Sequence, residues 1–180
     1  MDSEFANPEI AVAAHASSRR RERFESLLAA NRPALARLAA SYAASQADRD
    51  DLLQEIAMGL WLALPTFRAE CSERTFLFRI AHNRCISHLA RRRPQVSLDD
   101  IEFDPEDLRP GPDAGLAEQQ QSASLQAAVR RLPLAYRQVI VLLLEDLDYR
   151  QIAEVLGISE NNVGVRLTRA RALLREALAR

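Results

Sequence analysis

The stretch YRQIAEVLGISENNVGVRL, residues 149–167, restricts the fold more than any other part of the chain. Its apolar spacing fits one short helix over 149–156, and Gly157 follows as a left-handed cap that glycine adopts at little cost. Ser159 predicts the start of a second helix, because its hydroxyl can accept a hydrogen bond from a free backbone N–H near residue 162. Two helices joined by so short a turn form a helix-turn-helix.

The second helix of this motif, expected over about 160–178, has two different faces. An apolar stripe that faces the core consists of Val163, Leu167, Ala170 and Leu174. The opposite face is small or polar and is flanked by arginines; it consists of Asn161, Val165, Thr168 and Ala172 beside Arg166, Arg169, Arg171 and Arg175. Such a face suits the major groove of DNA, where arginine donates to phosphates or guanine edges. The alternative is a solvated helix whose arginines contact only water.

The rest of the chain also favours helix. Glycine is scarce, with 5 in 180 residues, while alanine, leucine and arginine are abundant. The run VIVLLL, residues 139–144, has a β-like composition but is too short for its periodicity to decide. Pro133 before it fits a first helical turn, so we expect a buried helix over 133–145. No alternating strand is found, and we predict an all-α protein.

Residues 91–121 interrupt the helical pattern and hold four of the eight prolines and two of the five glycines. We therefore expect two small helical domains, an N-terminal helical bundle over 19–93 and a C-terminal helix-turn-helix domain over 122–180. A flexible acidic linker over 94–121 joins them. Residues 1–18 are expected to be disordered.

Composition excludes several classes of protein. The formal net charge is −1, so any basic surface must be local. Cys71 and Cys85 lack metal-type spacing, which predicts no disulfide scaffold, no metal and no cofactor. His82 and His88 are off the spacing that places two ligands on one helix face, and no phosphate loop occurs, so we expect no catalytic residues and no enzyme. Without a membrane-length apolar run or a signal peptide, the protein is expected to be cytoplasmic and not inserted in a membrane.

Residues 48–64, DRDDLLQEIAMGLWLAL, predict a helix with an unusual second face. The expected core stripe is Leu53, Ile56, Leu60 and Leu64. The second face combines carboxylates with bulky apolar side chains and consists of Asp51, Glu55, Met58 and Leu62, with Gln54 and Trp61 beside it. This mixture suits a basic protein partner better than water. In the alternative, Met58, Trp61 and Leu62 pack under the preceding helix, and periodicity does not decide between the two.

Residues 73–92 predict a helix that begins buried and ends basic. One stripe consists of Phe78, Ala81, Cys85 and Leu89; a second begins with Phe76 and Ile80 and turns polar at Asn83 and Ser87. Arginines surround its later turns, and the loop before it carries Arg68 and Arg74. A loop and a basic helix end of this kind can hold an unstacked base and its phosphates. The alternative is a helix end whose charge only complements the helix dipole.

In order along the chain, DLLQEIAMGLW, TFRAECSERTFLFRIAHNRCISHLARRR, an acidic linker and LPLAYRQVIVLLLEDLDYRQIAEVLGISENNVGVRLTRARALLREAL resemble a bacterial RNA polymerase sigma factor of the extracytoplasmic function (ECF) group. The resemblance covers roughly residues 22–93 and 122–178. It implies a protein that binds core RNA polymerase, directs it to specific promoters and helps to melt the minus-ten element. The implied partners are the clamp helices and flap of core polymerase, promoter DNA and an anti-sigma factor.

The resemblance also implies roles for individual residues. Binding of core polymerase is assigned to Asp50, Asp51, Gln54, Glu55, Met58 and Trp61. Contact with the minus-ten element is assigned to Arg68, Arg74, Phe76, Arg79, Asn83, Arg84, Ser87, Arg91 and Arg92. Contact with the minus-thirty-five element is assigned to Ser159, Asn161, Asn162, Val165, Arg166, Arg169, Arg171 and Arg175.

The chain departs from its relatives at several positions. Phe76 and Ser87 replace a usual tryptophan and aspartate, and Gly164 and Val165 stand where relatives often carry basic or polar side chains. The last two are expected to change how the minus-thirty-five element is read. Cys71, in the base-capturing loop, is either a redox-sensitive thiol or a spectator. The competing function is a stand-alone helix-turn-helix regulator with a helical sensor domain, which would not bind core polymerase.

Overall fold

The computed structural model describes residues 8–92 and 116–179, which form helices joined by short loops. In chain order the elements are α1 (Pro8–Ala40), α2 (Gln46–Ala63), a 3₁₀ helix (Leu64–Thr66), α3 (Glu73–Arg92), α4 (Leu116–Arg131), α5 (Leu134–Leu144), α6 (Tyr149–Leu156) and α7 (Glu160–Leu178). No strand occurs in these two ranges, and the predicted all-α fold is confirmed. None of their helices combines the length and hydropathy needed to cross a bilayer.

Two predicted segment ends differ from the structure. Residues 8–18, which belong to the segment expected to be disordered, form the first turns of α1, which begins at Pro8. Because α4 begins at Leu116, the end of the predicted linker over 94–121 is helical. Both extensions are rich in alanine, arginine, glutamate or glutamine, whose helix propensity outweighs their polarity. Residues 1–7 and the acidic stretch at 93–115 lie outside the described residues.

The helices α1, α2 and α3 form the N-terminal bundle around one apolar core. Buried leucines and an isoleucine recur every four residues along α2 and into the 3₁₀ helix, at Leu52, Ile56, Leu60 and Leu64. Leu53, predicted to belong to this stripe, is only half-buried, because the four-residue repeat turns it to the edge of the core. On α3 the predicted stripe of Phe78, Ala81, Cys85 and Leu89 is buried.

The C-terminal half confirms the local prediction. Asp148 begins α6 with a capping box in which its side chain accepts from the Gln151 N–H at 2.8 Å. Gly157 ends α6 with a φ of 67°, in the left-handed region. Ser159 then caps α7 by accepting from the Asn162 N–H at 3.2 Å. The core stripe of α7 is Val163, Leu167, Ala170 and Leu174, all buried as expected.

The two halves of the chain pack against each other, which the sequence did not predict. The helices α3 and α6 are in contact, and Arg37 of α1 forms two hydrogen bonds to Glu145, at 2.9 and 2.6 Å. Glu145 is only 2% exposed. Hydrogen bonding to this carboxylate raises the pKa of Arg37. The fully buried Arg137 of α5 lies 6.0 Å from the ring centre of Tyr42. These contacts define how the two halves are oriented.

The stability of the fold is expected to depend on pH through His82 of α3. This side chain is 6% exposed, and burial lowers its pKa from 6.5 to about 4. Between those values the unfolded chain binds a proton that the folded chain excludes, so stability is complete above pH 6.5 and falls as the pH drops toward 4. We expect a loss of about 2 kcal/mol from pH 7 to pH 5 on account of this residue.

Urea unfolding at pH 7 and pH 5 measures that loss, and His82→Gln is the comparison because glutamine does not titrate. The variant should lose about 2 kcal/mol less than the native chain over the same interval. Carboxylates contribute equally to both proteins and cancel in the difference. An identical pH dependence in the two proteins would show that His82 is not the group responsible.

Candidate nucleic-acid interface

The loop over residues 67–72 turns the chain from the 3₁₀ helix into α3. Ala69 has a φ of 58°, a left-handed conformation that is uncommon outside glycine. Ser72 caps α3, because its hydroxyl oxygen accepts a hydrogen bond from the Thr75 N–H at 3.0 Å. This cap was not predicted, although a serine directly before an expected helix is a known start signal. The cap and the turn fix the position of the loop relative to α3.

An aromatic cavity of about 290 Å³ lies between this loop and the first turns of α3. Its lining is Thr66, Phe67, Arg68, Glu70, Cys71, Phe76 and Arg79. The rings of Phe67 and Phe76 are 4.9 Å apart between centroids and tilted by 54°. The Arg79 guanidinium lies 5.6 Å from the Phe76 ring centre. Aromatic rings with arginines at their edge can bind a flat ring that carries an anionic group. We name this site the base cavity.

A polar line runs from the base cavity along α3. Its members recur every four residues and are all exposed; they are Arg79, Asn83, Ser87 and Arg91. Arg84 lies beside the line and close to α2, where a Cβ added to Gly59 would be 2.8 Å from its Nε. The absence of a side chain at Gly59 therefore gives the Arg84 guanidinium its place on the surface. One continuous surface therefore carries most of the residues assigned to the minus-ten element. They are Arg68, Phe76, Arg79, Asn83, Arg84, Ser87 and Arg91.

The last arginines of α3 are engaged by carboxylates of α2. Arg91 donates to both carboxylate oxygens of Glu55, at 2.6 and 2.7 Å. Arg92 pairs with Asp48, whose other oxygen lies 2.9 Å from Nε2 of His88. The predicted DNA contacts Arg91 and Arg92 thus hold α3 against α2, and Glu55, assigned to the polymerase, is held by an α3 arginine.

Arg74 is not brought together with the other minus-ten residues. Its guanidinium donates to the backbone oxygen of Glu145 at 2.5 Å and to Oδ1 of Asn31 at 3.3 Å. It also lies 5.3 Å from the Phe78 ring centre. Arg74 is half-buried and connects the N-terminal bundle to the C-terminal half. Helical position places it away from the base cavity, on the side of α3 opposite Phe76.

The proposed polymerase surface of α2 is divided in two. Met58 and Leu62 are exposed, at 65% and 66%. Trp61 instead packs under α1, with its ring 5.2 Å from that of Phe24 and 4.0 Å from the Arg20 guanidinium carbon. Met58 and Leu62 are thus exposed, as a partner-binding face requires, whereas Trp61 packs under the preceding helix, as the alternative states. The polar members Asp50, Asp51 and Gln54 are exposed beside Met58.

On α7 the candidate DNA residues share one exposed side. The exposed members are Asn161, Val165, Arg169, Arg171 and Arg175. Arg166 is half-buried, and its Nε donates to Oδ1 of Asn162 at 3.0 Å. Asn162 thereby orients an arginine, while the Ser159 hydroxyl is used in capping. A Cβ at Gly164 would meet only the Tyr149 ring, at 3.7 Å.

Two known families match this chain. The family described as Sigma-70 region 2 matches residues 27–95, and that described as Sigma-70, region 4 matches residues 122–174. The chain is 32% identical to the RNA polymerase sigma factor CnrH of Cupriavidus metallidurans, over 93% of this chain and 94% of that protein. It is 30% identical to the ECF RNA polymerase sigma factor SigM of Mycobacterium tuberculosis, over 97% of this chain and 86% of that protein.

Solved structures share the arrangement of helices. CnrH in complex with the cytosolic domain of CnrY superposes with a TM-score of 0.67 at 29% identity, covering 94% of this chain and 96% of that one. The sigma factor RpoE in complex with the anti-sigma factor NepR from Bartonella quintana gives a TM-score of 0.71, covering 88% of this chain and 98% of that one. At 24% identity, the second likeness shows the fold alone.

Proposed function

The chain belongs to the ECF group of bacterial RNA polymerase sigma factors, and from that premise we propose how its residues share the recognition and melting of a promoter. Sigma factors bind core RNA polymerase and promoter DNA, and as a class they are transcription initiation factors rather than enzymes. The stand-alone regulator considered from the sequence is not favoured, because both sigma-70 regions match in their expected order.

The N-terminal domain, residues 19–93, is proposed to melt the minus-ten element, and the base cavity is the observation that carries this assignment. An unpaired base would stack on Phe67, whose ring is backed by the buried Phe76, with Arg68 and Arg79 on its phosphates. Stacking of a base on aromatic side chains is worth about 1–3 kcal/mol, enough to bias a strand toward the unpaired state. Asn83 continues the surface as a hydrogen-bonding group for the next part of the strand.

Three of the arginines assigned to the minus-ten element are proposed to act indirectly. Arg91 and Arg92 hold α3 against α2 through Glu55 and Asp48. Arg74 binds the Glu145 backbone, so it orients the two halves and does not contact the strand. The direct contacts are then Arg68, Phe76, Arg79, Asn83, Arg84 and Ser87.

The surface of α2 is proposed to bind the clamp helices of core polymerase. Met58 and Leu62 supply the exposed apolar contact, and Asp50, Asp51 and Gln54 surround it with polar groups. An apolar centre with a polar rim is the usual composition of a protein interface. Trp61 supports this surface from beneath through its packing on α1.

The C-terminal domain, residues 122–180, is proposed to bind the duplex minus-thirty-five element through α7 and to contact the polymerase flap. Because two solved structures of the same fold are sigma factors bound by other proteins, CnrY and the anti-sigma factor NepR, we also propose regulation by an anti-sigma factor. The protein would act in the cytoplasm, where it meets core polymerase.

Asn83→Ala tests the melting assignment. The variant holoenzyme is expected to form open complexes about tenfold more slowly, because it lacks an amide that hydrogen-bonds only to the opened strand. Permanganate reactivity of minus-ten thymines measures opening. A promoter with a pre-melted minus-ten segment should restore most of the rate, since opening is then no longer required.

Asn161→Ala is the reciprocal control, because the same amide is removed from α7. It should weaken closed-complex formation and leave the opening step unchanged. Retention of normal opening by Asn83→Ala would refute the assignment of Asn83 to the opened strand. Failure of the native chain to associate with core polymerase in a pull-down would refute the polymerase surface.

A further inference from the structure

A second cavity, of about 590 Å³, adjoins the base cavity at Phe67, which lines both. It is formed where α1 passes the 3₁₀ helix, and its walls are Arg19, Arg20 and Arg23 of α1 facing Leu64, Pro65 and Phe67. We name it the arginine cavity. Nothing in the division of roles above uses it, and no residue of α1 belongs to the assigned DNA contacts.

Two of its three guanidinium groups are held in place before any ligand binds. Arg20 stacks 4.0 Å from the Trp61 ring centre and donates to the Trp61 backbone oxygen. Arg23 lies 4.9 Å from the Phe67 ring centre and pairs with Glu73 at 2.5 Å. A guanidinium has five N–H donors, so these contacts leave donors available for an anion. Fixed cations lose little side-chain entropy on binding.

Arg19 is exposed, like Arg23, and lies one helical turn before it on the same side of α1. Arg19 lines the same cavity as the two fixed arginines and as the apolar wall made by Pro65 and Leu64. A phosphate with an adjoining sugar or base matches this combination of charge and apolar surface. The carboxylates of an acidic peptide would pair with the arginines, but they would not stack on Phe67, the aromatic wall shared with the base cavity.

We propose that the arginine cavity is a second nucleotide subsite, which binds the phosphate and sugar of the nucleotide next to the captured base. The shared residue Phe67 is the argument for this occupant. A strand whose base stacks on Phe67 in the base cavity reaches the neighbouring cavity within one ring's width, and there it meets Arg19, Arg20 and Arg23. The inference rests on the proposed function, since it extends the same single strand by one nucleotide.

The test uses holoenzyme assembled from the full chain and core polymerase, with fluorescently labelled single-stranded DNA. A minus-ten oligonucleotide is first selected from a random library with the native holoenzyme. It is then shortened to the minimum that binds and lengthened by one to three nucleotides at either end. Native holoenzyme should gain affinity on lengthening at one end only, because the two cavities meet at a single lining residue, Phe67.

Arg19→Ala is expected to remove that gain, about fivefold, while leaving affinity for the minimal oligonucleotide unchanged. Because the variant neutralises one phosphate fewer, the slope of log K against log salt for the longer strand should become shallower by about 0.7. Arg21→Ala is the matched control: it removes the same charge from the same turn of α1, but Arg21 is exposed outside the cavity and should behave as native. Thermal unfolding by circular dichroism checks that both variants fold.

The following results would overturn the proposed nucleotide subsite. If Arg19→Ala keeps the full gain, or if Arg21→Ala loses as much as Arg19→Ala, the arginine cavity does not hold a nucleotide. If Arg19→Ala binds every strand normally and fails only to bind an anti-sigma protein, the occupant is a peptide. If native holoenzyme selects no single-stranded oligonucleotide from the library, the proposed base cavity fails as well, and this result separates the two failures.

Discussion

Arg137→Ala is expected to lower the free energy of unfolding by about 4 kcal/mol, a sum of lost hydrogen bonds and a new cavity. The side chain is fully buried at the start of α5. Its guanidinium donates to the Leu132 backbone oxygen at 3.0 Å and also to that of Arg130, so it closes the turn between α4 and α5. Burial lowers its pKa, and alanine would leave the two carbonyls without this donor.

Two further variants separate these contributions. Arg137→Met keeps most of the side-chain volume without the donors, and we expect it to recover roughly half of the loss. Arg131→Ala removes an exposed guanidinium from the end of α4 and should change stability by less than about 0.5 kcal/mol. Urea unfolding of the three variants and the native chain gives the values. A loss below about 1 kcal/mol for Arg137→Ala would show that the turn does not depend on this residue.

The same region shows what the sequence could not supply. Glu145 is buried by Arg37 and its backbone is bound by Arg74, partners that precede it by 108 and 71 residues. Periodicity identifies the side of a helix that turns inward, but it does not identify the element that covers that side. The sequence therefore predicted two separate modules on a flexible tether. It did not predict the ion pair and the hydrogen bond that join them here.

Local chemistry, in contrast, was sufficient for the helix-turn-helix. Gly157 and Ser159 act within a few residues of themselves, so their conformations follow from neighbouring sequence.

The surface of α2 could be predicted from the sequence only in part. Its spacing grouped Met58, Trp61 and Leu62, yet only the position of Phe24 on α1 decides that Trp61 is covered and the other two are exposed. The base cavity also depended on Phe67, whose ring faces Phe76 only after the loop has turned.

The double variant Arg166→Ala, Arg169→Ala is expected to weaken binding of the duplex minus-thirty-five element on the order of a thousandfold. Two arginines that contact phosphates or guanine edges each contribute roughly ten- to a hundredfold. Holoenzyme affinity for a fully duplex minus-thirty-five fragment, measured by anisotropy at fixed salt, gives the ratio. Arg32→Ala, which removes an exposed guanidinium from α1, should remain close to native. A loss below about tenfold for the double variant would place the DNA contact elsewhere.

Substitution of Asn162 tests whether the Arg166 guanidinium is held in place before DNA binds. Its Oδ1 accepts from Nε of Arg166 at 3.0 Å, which fixes the guanidinium before DNA arrives. Asn162→Ala should therefore weaken duplex binding about threefold, through the entropy of reordering Arg166. In the Arg166→Ala background the same substitution should have no further effect, because the residue it orients is gone. If the two losses multiplied instead, Asn162 would be reading DNA itself, and the helix would present one more amide to the groove than its geometry implies.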